Sequence, residues 1–134
     1  MLFETKSEVD IHEMSPLALA FVGDAVLELL VRARLVGTTR MQPNRLHTVA
    51  THYVSAHAQS RELEILEPLL TEAEASVLRR GKNASKASVA KHATVQEYRA
   101  STGLECLLGW LYLQGQTQRV QELFEALWAG YQPE

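Results

Sequence analysis

The sequence predicts an all-α fold in a single domain, and three observations carry that prediction. No segment alternates apolar and polar residues over the roughly four to eight positions that a half-buried strand needs. Apolar residues recur instead at three- and four-residue spacing, and three runs open on helix-starting chemistry: Ser15-Pro16, Thr71-Glu72-Ala73-Glu74 and Thr94-Val95-Gln96-Glu97. With 134 residues, 46% of them hydrophobic and 22% charged, the chain has the composition of one ordinary globular domain rather than of a disordered segment.

The elements follow in order. Ser15 caps a helix that Pro16 begins, predicted to run to about Leu35 and to stop at Gly37. Its positions are almost all apolar except Asp24, Glu28 and Arg32, four apart on one stripe. Glu28 is spaced for an ion pair with Arg32 worth a few tenths of a kcal/mol. Gly23 sits mid-helix, where glycine is about 1 kcal/mol less favourable than alanine, a sign of close approach by another backbone. The next helix starts after Pro43, carries Leu46, Val49, Ala50, Tyr53, Val54 and His57, and is expected to end near Ser60. A short helix covers Leu63 to Leu70. The capping box at Thr71 opens a helix that Gly81 should end, and the mixed segment 81–93 reads as a loop. The box at Thr94 opens the helix of Glu105, ending at Gly115. A last helix, Thr117 to Ala129, buries Val120, Leu123, Phe124, Leu127 and Trp128.

Several function classes lose ground at this stage. The amino terminus has no basic region followed by an apolar stretch, and no apolar run approaches the length of a membrane span without a charge, so a cytosolic protein without membrane contact is expected. Cys106 is the only cysteine, which excludes an intrachain disulfide and predicts a buried thiol beside Leu107 and Leu108. His47, His52 and His57 are five apart, which does not hold one helical face, so a zinc set is not predicted. The net charge of −3 argues against a nucleic-acid partner, but its distribution matters more than its sum. Acids cluster at positions 4–13 and from Glu62 to Glu74, whereas Arg79, Arg80, Lys82, Lys86 and Lys91 form a stretch without a single acid, which predicts one basic face.

Two carboxylates stand inside the most apolar segments: Asp24 in AFVGDAVLELLVR and Glu105 in STGLECLLGWLYL. An ionised carboxylate is unfavourable to bury without a compensating charge, so such acids point to a metal or a strong cationic partner. The bland alternative makes Asp24 part of a solvated stripe with Glu28 and Arg32, and pairs Glu105 with a basic side chain.

The words around these acids narrow the choice. Phe21-Val22-Gly23-Asp24-Ala25-Val26-Leu27-Glu28-Leu29 resembles the signature helix of the ribonuclease III catalytic domain, and Glu105-Cys106-Leu107-Leu108-Gly109 resembles its second acidic helix. Between them, Arg80-Gly81-Lys82-Asn83-Ala84 and Val95-Gln96-Glu97-Tyr98-Arg99-Ala100-Ser101-Thr102 resemble the Mini-ribonuclease III variant, which has the catalytic domain without an appended RNA-binding domain. The resemblance covers about residues 14–128 of the single domain 1–134, with 1–13 an N-terminal segment.

That resemblance implies a homodimeric helical bundle and an endoribonuclease that cuts double-stranded RNA, leaving 5′-phosphate ends. It implies Asp24 and Glu105 as the catalytic, metal-holding pair, with Mg2+ (or Mn2+ in its place) as cofactor. It implies maturation of the precursor of 23S ribosomal RNA in the cytoplasm and a signature helix near the dimer twofold, and it leaves open whether a ribosomal protein bound to the substrate prepares it. Mg2+ often takes only one or two protein carboxylates beside phosphate oxygens, so two acids suffice for one ion. Where the larger ribonuclease III pattern has further acids, this chain has Leu17, Ala20 and Thr102, a departure shared with the Mini-ribonuclease III pattern. It puts a fully protein-held second metal in doubt, while Thr102 could still hold a metal-bound water.

For RNA contact the expected donors are Arg79, Arg80, Lys82, Asn83, Lys86, Lys91 and Arg99, flexible groups suited to a phosphate backbone. A-form RNA favours reading by shape and backbone over reading by base. Two rivals remain: a ribonuclease III-like protein that binds structured RNA without cutting it, and a helical interaction protein with no nucleic-acid role.

Overall fold

The computed structural model describes residues 6–86 and 93–133, and among these every regular element is helical. Six α-helices follow in order: α1 (Pro16–Thr38), α2 (Pro43–Val54), α3 (Ala56–Leu66), α4 (Glu72–Ala84), α5 (Val95–Leu113) and α6 (Thr117–Gly130). Single 3-10 turns at Ile11–Glu13 and Glu67–Leu69 precede α1 and follow α3.

The predicted starts are present. The Ser15 hydroxyl accepts from the Ala18 N–H at 3.1 Å, and Thr71 with Glu74 and Thr94 with Glu97 form complete capping boxes. The chain leaves α5 through Gly115, the one positive-φ residue among those described (φ 76°).

Three boundaries differ from expectation, each for a local reason. Helix α1 runs through Gly37 to Thr38, because the Thr38 and Thr39 hydroxyls donate back to the Arg34 and Leu35 carbonyls and extend the last turn. The expected single helix from Pro43 to Ser60 breaks at Ser55. That residue is extended (φ −63°, ψ 159°) and its hydroxyl caps a new helix by accepting from the Ala58 N–H. Consequently the expected helix Leu63–Leu70 is the end of α3 plus a turn around Pro68. Gly81 does not end α4 but lies within it, and a Cβ there would stand 2.7 Å from the Cys106 Cβ and 2.9 Å from the Gly103 Cα. The glycine lets α4 lie directly on α5.

Helix α5 is the axis of the bundle, buried nearly all round from Ala100 to Leu111. The main core gathers Leu27, Val31 and Leu35 of α1, Leu66 of α3, Leu104, Leu107, Leu108 and Leu111 of α5, and Val120, Leu123, Phe124 and Leu127 of α6. Trp110 and Trp128 pack against that core half-buried, the latter stacked on Tyr53 with ring centres 4.4 Å apart. Against α1 the approach is by backbone: a Cβ on Gly23 would stand 1.6 Å from the Glu105 carbonyl oxygen, and one on Gly109 1.9 Å from the Leu19 carbonyl oxygen. These two glycines are what permits the crossing that the mid-helix Gly23 foretold.

Candidate active site

The crossing sets the site. Gly23 touches the backbone of Glu105, and the next residue along α1 is Asp24. The two carboxyl groups lie close enough that Asp24 raises the Glu105 carboxyl. Residues eighty-one positions apart in sequence therefore converge.

Their environments are unequal. Asp24 is exposed, because α1 buries Leu19, Gly23, Leu27 and Val31 and turns the stripe that holds Phe21 and Asp24 outward. Glu105 is sunk between helices, and burial pushes its carboxyl up to about 8. The charges of Asp24 and Glu28 push the same way, while a hydrogen bond from Gln59 opposes them. The Gln59 Nε2 donates to Glu105 Oε2 at 3.1 Å. Glu28 is occupied by Arg32 at 3.0 Å, the helical pair that spacing predicted.

The donor set fits a hard cation on its chemistry. Among the described residues neither Asp24 nor Glu105 makes an ion pair, so the bland alternative for Glu105, a basic partner, is not what the fold provides. Among the described residues no group of three or more His, Cys, Asp or Glu is arranged to hold a metal; Mg2+ commonly takes only one or two protein carboxylates beside phosphate oxygens, a number that Asp24 and Glu105 would meet. Thr102 is buried, its hydroxyl directed at the Tyr98 carbonyl (3.1 Å) and Ser85 (3.3 Å).

The basic residues divide. Arg79 and Arg80 are exposed on α4, and Lys86 is exposed just beyond it. Lys82 is half-buried with its ammonium 4.0 Å from Glu67. Arg99 donates to the Lys82 carbonyl (3.1 Å) and to Asn83 Oδ1 (3.0 Å), closing the open C-terminus of α4. Lys91 lies outside the described residues.

Three features had no place in the sequence reading. Gln59 was missed because Ser55 was not read as a cap, so the start of α3 was invisible. His57 Nδ1 pairs with Glu97 Oε2 at 2.5 Å, joining the first turns of α3 and α5. Glu62 is fully buried with neither carboxyl oxygen partnered among the described residues, and burial holds it at about 8. Its register, four after Ala58 and four before Leu66, was the available signal, hidden by the polar neighbours Arg61 and Glu64. Cys106 is buried as predicted, its thiol pushed up to about 11 by burial.

The profile of the Ribonuclease III domain matches residues 17–116, which includes both acids. The chain belongs to the ribonuclease III family, in its Mini-ribonuclease 3 branch. It is 47% identical over 113 residues to Mini-ribonuclease 3 of Symbiobacterium thermophilum, covering 84% of this chain and 87% of that one. The Mini-ribonuclease 3 of Brevibacillus brevis is 44% identical over 115 residues, covering 86% of each. The bundle also superposes on a crystal structure of a Fusobacterium nucleatum protein with a TM-score of 0.81 at 28% identity, covering 90% of this chain and 97% of the other. Membership makes the chain an endoribonuclease, and the rival of a helical interaction protein falls away.

Proposed function

We propose that this endoribonuclease hydrolyses double-stranded RNA with Mg2+ held by Asp24 and Glu105, and that it works as a cytoplasmic homodimer on the precursor of 23S ribosomal RNA. The observation that carries the metal reading is the convergence of Asp24 on a sunken Glu105 with no cationic side chain paired to either among the described residues. Two such acids repel when both are ionised, so without a cation Glu105 keeps its proton, and a cation lets both carry charge. When bound, a hard divalent ion neutralises phosphate charge and activates water for phosphodiester hydrolysis.

The chain's own groups do the rest. Exposed Arg79, Arg80 and Lys86 offer charge to the phosphate backbone, a contact that carries no base sequence. Arg99 and Asn83 hold the end of α4, so their part in RNA binding is to fix the platform from which those cations project.

A second copy fits the outward stripe of α1. Phe21 is 83% exposed, Leu17 and Leu29 are also exposed, and beside them runs an apolar groove of about 590 Å³ lined by Val22, Ala25, Val26, Leu29 and Tyr112. An apolar face of this kind is unfavourable in water and is covered in a symmetric dimer. Such a pairing sets two acidic sites on one duplex, one per strand. A solution mass near twice the 15.0 kDa chain is expected by light scattering, and a monomeric mass overturns the dimer.

The substrate assignment and a helper ribosomal protein rest on the family resemblance. Cytoplasmic action accords with the described helices, none of which is long and apolar enough to cross a membrane. The deciding assay incubates the chain with a precursor transcript carrying the paired ends of 23S RNA. Cleavage in Mg2+, none in EDTA, and loss of at least about 100-fold in rate in Asp24→Asn are expected, since even residues that only support metal ligands are worth 10–100-fold. Retention of the duplex without product in Mg2+ favours the rival, a ribonuclease III-like protein that binds structured RNA and does not cut it.

A further inference from the structure

Helix α3 begins with Ser55, and its first turn carries Gln59 into the bundle, where the side chain is 1% exposed. Both amide hydrogens are used. Nε2 donates to the Val54 carbonyl at 2.9 Å and to Glu105 Oε2 at 3.1 Å. The first acceptor belongs to the end of α2, one of the carbonyls a helix terminus leaves unpaired. The second is the acid at the centre of the candidate site.

We propose that Gln59 is a positioning residue for the metal site: an amide anchored on backbone that holds Glu105 in the orientation to bind a divalent cation. The inference rests on the reading of Asp24 and Glu105 as the metal-holding pair.

The amide has only one workable orientation. Reversed, its carbonyl oxygen would face the Val54 carbonyl, an acceptor that has no hydrogen to give. One anchor, Val54, does not depend on Glu105, so the donor stays in place whatever the acid does.

The donor is also neutral. A lysine or arginine at this place would pair with Glu105 and compete with a cation for the carboxylate. An amide hydrogen occupies one of the roughly four lone-pair sites of the carboxylate and leaves its charge intact.

Finally, the arrangement is built deep. A buried donor shared between a helix end and an acid leaves the Gln59 carbonyl oxygen without a partner of its own. That is an unfavourable state for a buried amide, accepted where the two N–H contacts take precedence.

The test is direct binding of Mn2+ to the RNA-free protein, followed by electron paramagnetic resonance, on the wild type, Gln59→Met and Asp24→Asn. Methionine has nearly the same length and no amide hydrogen. For Gln59→Met a 10–100-fold weaker Mn2+ affinity is expected, as for other residues that orient a metal ligand. Its kcat on duplex RNA at fixed subsaturating Mn2+ should fall while KM for RNA stays the same, and raising Mn2+ should restore kcat. A structural role alone would lower thermal stability in EDTA without that metal-dependent rescue. Gln59→Asn, too short to reach both acceptors, should behave as Gln59→Met and serves in its place if methionine prevents folding. Wild-type Mn2+ affinity in a folded Gln59 variant, with weak binding in Asp24→Asn, overturns the role of Gln59 and leaves the metal pair standing. Unchanged Mn2+ affinity in Asp24→Asn, or no binding by the wild type, overturns the pair and the inference with it.

Discussion

Glu74 and Glu105 are both acids drawn into the helical bundle, and the fold treats them in opposite ways. The Glu74 side chain is 6% exposed and is met by Arg119, whose Nε and Nη2 donate to its two oxygens at 2.8 and 2.9 Å. The same guanidinium reaches the Leu69 carbonyl at 2.8 Å, so one cation ties α6 to α4 and to the turn before it. The Arg119 hydrogen bonds hold the Glu74 carboxyl below the usual carboxylate range. Glu105 has an amide and two further acids as neighbours, and its carboxyl is pushed up to about 8, chiefly by burial. Glu74 arrives with its own cation and is part of the frame, whereas Glu105 arrives among acids, the setting in which the proposed metal would take the place of a cationic side chain.

The widest gap between the two should open in Glu105→Gln. Cleavage of duplex RNA is expected to drop by at least about 100-fold, more than the loss of a residue that merely supports a ligand. In EDTA at pH 8 the unfolding midpoint should nevertheless rise, because a neutral amide replaces a buried acid beside Asp24. If the variant instead loses stability, Glu105 is a frame residue and the contrast with Glu74 fails.

Arg119→Met makes the reverse prediction. Removing the cation strands Glu74 inside the bundle, at about 2–3 kcal/mol, somewhat under the roughly 3–5 of a fully buried pair because Arg119 keeps 25% of its side chain exposed. Urea unfolding reads this, and the folded fraction should cleave RNA at the wild-type rate. Lowering pH through the depressed carboxyl of Glu74 removes its stabilisation in the wild type, present above the unfolded value near 4.5 and lost on acidification, while the variant should lack that decline.

How much of this was legible follows the same division. The helix starts at Ser15, Thr71 and Thr94 were readable because capping is local, a matter of one side chain and a neighbouring N–H. Asp24 and Glu105 stood out because acids in apolar runs are rare, and the glycine before Asp24 signalled the crossing that joins them. Ser55 failed as a signal because apolar residues continue in helical register on both sides of it, and only the tertiary fold bends the chain there. Gln59 went unread for the same reason. Gly81 misled because glycine serves two ends, terminating helices and admitting a neighbour, and the partners that decide between them, Gly103 and Cys106, lie more than twenty residues away. The Glu74 to Arg119 clamp spans forty-five positions, and nothing in either local segment announces the other.

Glu62 supplies the smallest and sharpest variation on the comparison, since among the described residues it has neither a cation nor a neighbouring amide bonded to it. Fully buried, with both oxygens unpartnered among the described residues, it is raised to about 8 by burial, and its charge adds to the burial that raises the hydroxyl of Tyr53. A folded value above the unfolded one near 4.5 means the folded chain holds its proton longer. This acid's contribution is therefore complete below about 4.5 and lost as pH climbs through about 8. Glu62→Gln should match the wild type at pH 5 and exceed it by about 1–2 kcal/mol at pH 8, the size of relieving one unpaired buried group. Glu105 adds a decline of the same sign, but it is common to both proteins and cancels in the difference, so urea titrations at the two pH values isolate Glu62. A constant gap across pH would mean that this acid ionises in the folded state as freely as in the unfolded one, and that burial without a partner does not set its proton.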